Sequence, residues 1–330
     1  MSKPYSENGP YFMGTQFVWW QGVVEDVADP LKIGRCRVRI VGFHNPDTKS
    51  IPIEDLPWAS VVQPVTSAAL SEVGNSPTGL LPGSWVVGFF RDPGFFQEPI
   101  ILGSIAGIPL AQNVAIGDGF KDPSGKYPLE DHLEESDLSR LARNEKIDET
   151  IVKSKKDKVV KNINTAIVKE KWNEPETPYA AEYPKNHVMQ TESGHIQEFD
   201  DTPNKERIHT YHKTGTFQEI HPDGSVVNKI VAKKYEIVYN ENRILIKGKK
   251  SENVEKDSDL KVGGNLNIEI EGDANMHVKG NYYLRVDGDY GISIGGQGSC
   301  NSNSGNLTFA AKRIDLNPSG VSPGDIGSPF

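Results

Sequence analysis

The stretch NENRILIK GKKSENVE KDSDLKVG GNLNIEIE GDANMHVK GNYYLRVD GDYGISIG, residues Asn240 to Gly295, decides the fold. Written as seven octads, it holds one phase throughout. The seventh position reads Ile246, Val254, Val262, Ile270, Val278, Val286 and Ile294, β-branched without exception. The fifth reads Ile244, Glu252, Leu260, Ile268, Met276, Leu284 and Ile292, apolar six times in seven. From Gly264 onward the first two positions are Gly-Asn or Gly-Asp. Between the glycines, apolar and polar residues alternate with period two, the pattern of a strand with one sheltered face rather than of a helix. A fixed short period sustained over so many copies is the signature of a β-solenoid.

The repeat length limits which solenoid is possible. Eight residues hold one strand of about five or six residues and a corner, where Gly, Asn and Asp tolerate positive φ. One strand per repeat gives a chain a single side of a prism, and a lone chain would leave its apolar face wet. Three chains around one axis bury all three faces and pair their edges with each other. The expectation is an obligate homotrimer, an intertwined β-helix over residues 240–316. Its core would be Ile244, Ile246, Val254, Leu260, Val262, Ile268, Ile270, Met276, Val278, Leu284, Val286, Ile292 and Ile294. Outward residues such as Asn267, Glu269, His277 and Arg285 are polar. A calcium-binding roll needs a nonapeptide with Gly-Gly-x-Gly-x-Asp, which is missing. An ordinary sandwich with coincidental spacing would not keep phase.

The rest of the composition agrees with an elongated β protein. Of 330 residues, 36% are hydrophobic, which suits thin cores better than one large globule. The net charge of −9, or −27 for three copies (3 × −9), leaves no basic excess to neutralise phosphate and argues against nucleic acid as a partner. Cys36 and Cys300 are the two cysteines and fall in different expected domains, so no internal disulfide is expected. The start MSKPYSENGPYF has no apolar signal region and no run of 18 apolar residues occurs, so neither export by that route nor a membrane anchor is expected.

Residues 1–16 read as an arm. Over residues 17–108, FVWWQGVVEDV, RCRVRIVGF, LPWASVVQPV, SWVVGFFRD and PIILGSIAG give five short strands without a helix, as in a small closed barrel of the OB type, with Ser71–Ser84 as a long loop. Trp19, Trp20, Trp58 and Trp85 are expected in its core and rim rather than as a base-stacking platform, because no basic groove accompanies them. Residues 109–184 read as a linker. Glu130–Lys171 is charged, with scattered Leu, Ile and Val, and suits one or two short helices; its runs KSKKDK and KEK suggest a solvated face. Pro175, Pro178 and Pro184 then suit a stiff connector. Residues 185–239 return to strand alternation, with Thr214-Gly215 and Asp223-Gly224 as hairpin corners. Residues 317–330 form a Pro/Gly/Ser tail. The fold class expected is therefore all-β: an N-terminal OB-fold barrel, a charged linker, and a C-terminal intertwined trimeric β-helix.

Three groupings could carry chemistry. His187, His195, His209, His212 and His221 crowd into 35 residues, but His209 and His212, three apart on an expected strand, fall on opposite faces and no Cys joins them. Surface or turn histidines are expected, and no metal. Asp200, Asp201, Asn204 and Glu206 lack the glycine and terminal Glu of a calcium loop and read as a turn. Glu134, Glu135, Asp137, Glu145 and Asp148 could supply carboxylates for glycoside hydrolysis, but their segment is too short to enclose a cleft. No G-x-S-x-G, Walker A or H-E-x-x-H motif is present. The expectation is a chain that is no enzyme and needs no cofactor.

Long stretches resemble a known family. GVVEDVADPLKIGRCRVRIVGFH, IPIEDLPWASVVQPVTSAALSEVGNSPTGLLPGSWVVGFF, PIILGSIAGIP and GFKDPSGKYP are similar to the N-terminal OB domain of the central spike proteins of contractile-tailed bacteriophages. HVMQTESGHIQEFDDTPNKERIHTYHKTGTFQEIHPDGS resembles the segment that opens the spike's β-helix, and the octads resemble its shaft, shared with VgrG-type spikes of type VI secretion and phage-tail-like particles. The resemblance covers about residues 17–128 and 185–316. Between them the family's best-known member carries a lysozyme domain, where this chain has only the charged connector, so peptidoglycan cleavage is not carried over. The resemblance implies a virion protein of the tail baseplate, assembled in the host cytoplasm. It implies a homotrimer whose OB domains contact a baseplate hub protein, and whose shaft pierces the host outer envelope when the sheath contracts. A PAAR-type tip protein would dock at Phe309, Ile314 and Leu316. A VgrG-like secretion spike is the alternative, with a peptidoglycan hydrolase behind it.

Overall fold

The computed structural model describes residues 17–92, 94–110, 118–147, 150–165, 170–312 and 314. The chain divides into two units, one ending at Asn253 and the other beginning at Val254.

The first unit opens with a closed barrel of five strands: β1 (Trp19–Asp26), β2 (Cys36–Ile40), β3 (Trp58–Val61), β4 (Trp85–Phe90) and β5 (Pro99–Ser104), in the order β1-β2-β3-β5-β4. All pairs are antiparallel except β3 with β5. Each strand lies inside one of the five stretches read from the sequence. Period-two alternation points Trp20, Val24, Cys36, Val38, Ile40, Ala59, Val86, Phe90 and Ile101 into one core. Gly88 lets the barrel close, since a Cβ there would stand 2.0 Å from the Ile100 carbonyl oxygen and 2.4 Å from the Trp20 ring. Trp20 is core and Trp58 half-buried, with the Arg37 and Arg35 guanidinium groups 4.6 and 5.4 Å from its ring centroid; Trp19 and Trp85 are exposed.

Downstream lies a second sheet, β8 (Asn186–Gln190), β9 (Ile196–Asp200), β10 (Arg207–Tyr211), β11 (Phe217–Ile220) and β12 (Val226–Lys229), each antiparallel to its sequence neighbour. The turns at Gly215 (φ 98°) and Gly224 (φ 81°) form the expected hairpin corners.

The linker departs from its solvated reading. It forms two short helices, α1 (Arg140–Arg143) and α2 (Ile151–Asp157), and a two-residue pairing of β6 (Ile163–Asn164) with β7 (Lys171–Trp172). Leu141, Val152, Tyr179 and Ala181 are buried against Ile196, Tyr211 and Phe217 of the sheet. The linker is thus a strap across one sheet face, because that face would otherwise expose aromatic and aliphatic surface.

Beyond Lys229 no strand forms among the described residues. The chain instead bends at 231–232, 239–240, 247–248, 255–256, 263–264, 271–272, 279–280, 287–288, 295–296 and 303–305. The eight-residue beat therefore starts one repeat earlier than Asn240, at AKKYEIVY (232–239), whose fifth position is Glu236 rather than an apolar residue. No helix among the described residues is long and apolar enough to cross a membrane.

Candidate functional site

Two features stand out for function, and each is built from strand periodicity. The first is the octad ladder. Bends fall at octad positions eight and one, and the residues between them have no intrachain ladder partner among those described. Ile246, Val254, Val262, Ile270, Val278, Val286 and Ile294 are between 43% and 58% exposed in the single chain; Ile244, Leu260, Ile268, Met276, Leu284 and Ile292 are between 57% and 79% exposed. Exposed Ile, Leu, Val and Met side chains thus recur on the eight-residue beat in both units. Leu245, Leu266, Tyr282, Tyr283 and Tyr290 add exposed apolar area that the fifth-and-seventh pattern did not mark. Phe309 and Ile314 are exposed; Leu316 lies outside the described residues.

The second feature is a buried ionic row under the strap. In register across the sheet stand Glu198 of β9, His209 of β10 and Glu219 of β11, each about 1% exposed. Arg207 forks onto both carboxylates, donating from Nη2 to Glu198 Oε1 at 2.8 Å and from Nη1 to Glu219 Oε2 at 3.0 Å. His209 Nδ1 lies 2.5 Å from Glu198 Oε2. From α2, Lys155 enters the same row, ion-paired with Glu219 and 3.3 Å from His209 Nε2. Thr177 Oγ1 donates to Glu219, and Asn186 Nδ2 bridges the Leu141 carbonyl and Glu198. Burial alone would raise the Glu198 carboxyl, but His209 and Arg207 outweigh it and hold it at about 2. Burial lowers both His209 and Lys155. A charged row this dry is tolerated because nearly every group is paired.

The histidines do not converge. His209 is buried, contrary to the surface-or-turn reading, and β10 ends at Tyr211, so His212 sits in the following turn rather than on the strand. The His195 and His212 rings stand 4.5 Å apart, His187 pairs loosely with Asp201, and His221 leans on Glu219. Among the described residues no group of three or more His, Cys, Asp or Glu could hold a metal. Asp200 accepts from Thr202 to form the turn read there. Glu135 is gripped by Arg140, Lys146 and Arg143, which hold its carboxyl well below the usual range. Asp137 accepts from the Gly107 amide and Glu145 pairs with Arg143; Asp148 lies outside the described residues.

Comparison with known proteins supports a phage central spike protein. Residues 43–187 match the family described as the Gp5 N-terminal OB domain. That span begins after β2 and runs through the strap, whereas the barrel itself closes from Trp19 to Ser104. The chain is 45% identical over 270 residues to protein Gp5 of Vibrio phage KVP40 (isolate Vibrio parahaemolyticus/Japan/Matsuzaki/1991), covering 72% of this chain and 63% of that protein. It is 49% identical over 115 residues to the pre-baseplate central spike protein Gp5 of Enterobacteria phage T4, covering 33% of this chain and 20% of that protein. The chain thus spans less than two thirds of the length of either relative.

The expectation that the chain is no enzyme is overturned by these matches. Its relatives are Gp5 proteins, and the Gp5 of phage T4 carries lysozyme activity. Relatedness therefore points away from an enzyme-free family.

Proposed function

We propose that this chain is a structural central spike of a contractile phage tail baseplate, located in the virion, that pierces the host outer envelope when the sheath contracts. The observation that carries the reading is the octad run, bent every eight residues with its Ile/Val/Leu ladder uncovered in the single chain. The name of the T4 relative supports the baseplate location.

Three copies wound about one axis would give every ladder residue an apolar neighbour and every strand edge a partner. Strands interlocked in this way cannot unfold one chain at a time, so the shaft would transmit compression without buckling. In the same reading the OB barrels contact a ring-shaped hub protein. Phe309, Ile314 and Leu316 would offer an apolar end to a small tip protein of the PAAR type.

Sedimentation equilibrium and negative-stain micrographs of the full-length protein test the reading together. The expected result is a mass near three times 36.4 kDa and a narrow, needle-like particle. A compact, stably folded monomer would overturn it.

A further inference from the structure

The helix α2 is only seven residues long, and its polar hold on the sheet is concentrated in one side chain. Lys155 points inward, 8% exposed, with Nζ ion-paired to Glu219, 3.3 Å from His209 Nε2 and 4.2 Å from the Phe217 ring centroid. The two contacts of His209 suit a neutral ring. A ring protonated at Nδ1 donates to Glu198 and leaves a lone pair on Nε2 for the Lys155 ammonium. A doubly protonated ring has nothing to offer Lys155.

The charges facing His209 can be counted element by element. Lys155 of α2 and Arg207 of β10 are positive; Glu198 of β9 and Glu219 of β11 are negative. With Asp200 of β9, buried opposite Arg207, a neutral imidazole leaves two positive groups against three carboxylates. Asp200, further along β9, is turned into its own Thr202 turn. His221 sits at the rim on Glu219 Oε1, leaving Oε2 to Lys155, Arg207 and Thr177. Tyr179 and Tyr211 complete the wall, their phenols pushed up by burial.

We propose that the strap is an acid-released latch, in which protonation of His209 expels Lys155 and frees α2 from the sheet. The protonated ring would turn an N–H toward an ammonium at hydrogen-bond distance and leave the buried row with a third positive charge. Glu198 and Glu219 are already shared, and Asp200 stands opposite Arg207 rather than His209, so none of the three separates the ring N–H from the ammonium. Burial, opposed by Glu198 and aided by Lys155 and Arg207, holds the ring neutral, so release belongs below the ordinary imidazole value of about 6.5. The sign follows: a folded-state value below the unfolded one gives stability that is complete above about 6.5 and is lost as pH falls through the folded value. Glu198, at about 2, and Glu219, held low against burial mainly by Lys155, stay charged across that window. His209 is therefore the first member of the row to change. Lys229 of β12 holds Glu174 and the Lys158 carbonyl at the end of α2, and Tyr179 holds the Leu141 carbonyl, so release is confined to the turns of α2 ahead of Lys158.

Amide hydrogen exchange of the full-length protein at about pH 7.5 and about pH 5, corrected for the intrinsic pH dependence of exchange, reads the latch directly. The α2 amides should lose roughly tenfold or more of their protection at the lower pH while β9 to β11 keep theirs. H209Q cannot gain the charge and should abolish the acid response. K155M removes the group that is expelled and should abolish it too, which keeps the test decisive if H209Q does not fold. Unchanged α2 protection in the wild-type protein at the lower pH would overturn the proposal. So would an acid response of the same size in K155M.

Discussion

Arg39 Nε donates to Glu25 Oε1 at 2.8 Å, with the two side chains 0% and 1% exposed. The pair ties the barrel to the segment that follows it. Arg39 also donates to the carbonyls of Asn45 and Ile51, and Glu25 Oε1 accepts from the Phe120 amide at 2.6 Å. Gly119 closes over the guanidinium so tightly that a Cβ there would stand 2.3 Å from Arg39 Nε.

Removing one partner of this pair leaves an uncompensated charge in the dry. Glu25→Ala should destabilise the barrel by about 3–5 kcal/mol, read as a lowered denaturation midpoint. A midpoint unchanged from wild type would show that water reaches Arg39 after all.

Acid should weaken the strapped sheet in a second, lower window. Glu198 is held at about 2 against an ordinary value of 4.5, so its contribution is present above the ordinary carboxylate range and is lost as pH falls toward 2. The displacement corresponds to about 3 kcal/mol. E198Q should lose about that much at neutral pH and flatten the acid limb of an unfolding titration. A steep limb in the variant would assign acid lability to other carboxylates.

Cys36 is 4% exposed, and burial, reinforced by Asp26 and Asp29, pushes its thiol up to about 11. In C300S the remaining thiol should resist a thiolate-directed reagent at about pH 8 and react only after denaturant is added. Rapid labelling of folded C300S would mean that the barrel opens.

The octads should fail at a single rung. Ile270→Asp places a carboxylate in the ladder, and the sedimentation mass should fall from near three times 36.4 kDa toward the single-chain value. A trimer that survives this change would contradict the assignment of Ile270 to the inward face.

The barrel strands were legible because Trp20, Val24, Val38 and Val86 lie in short β-branched and aromatic runs set off by turns, although Val23, Glu25 and Arg39 beside them are buried as well. The strapped sheet was only half legible, because its polarity is reversed. In RIHTY, β10 buries Arg207, His209 and Tyr211 and turns Ile208 outward, so a rule that puts apolar residues inside selects the wrong face. A usable signal was present in the alternation of Glu198, Arg207, His209 and Glu219 on successive hairpin arms, whose opposite charges become cross-strand neighbours once the turns are fixed. Lys155 was not recoverable, since KSKKDK holds four lysines and only the packing of α2 selects which one goes inside. The octad beat was plain from its β-branched seventh position, and its earliest repeat was hidden because Glu236 takes the fifth position and no glycine marks its corner.

The regular bends also set a rule for length change. A deletion of residues 264–271 would excise one quantum and bring Gly272 into the vacated corner, leaving each downstream Ile and Val facing as before. Losing seven or nine residues would instead turn every later side chain to the opposite side of its strand. Genetic drift in this segment can therefore lengthen or shorten the protein only in whole steps, as beads are added to a string.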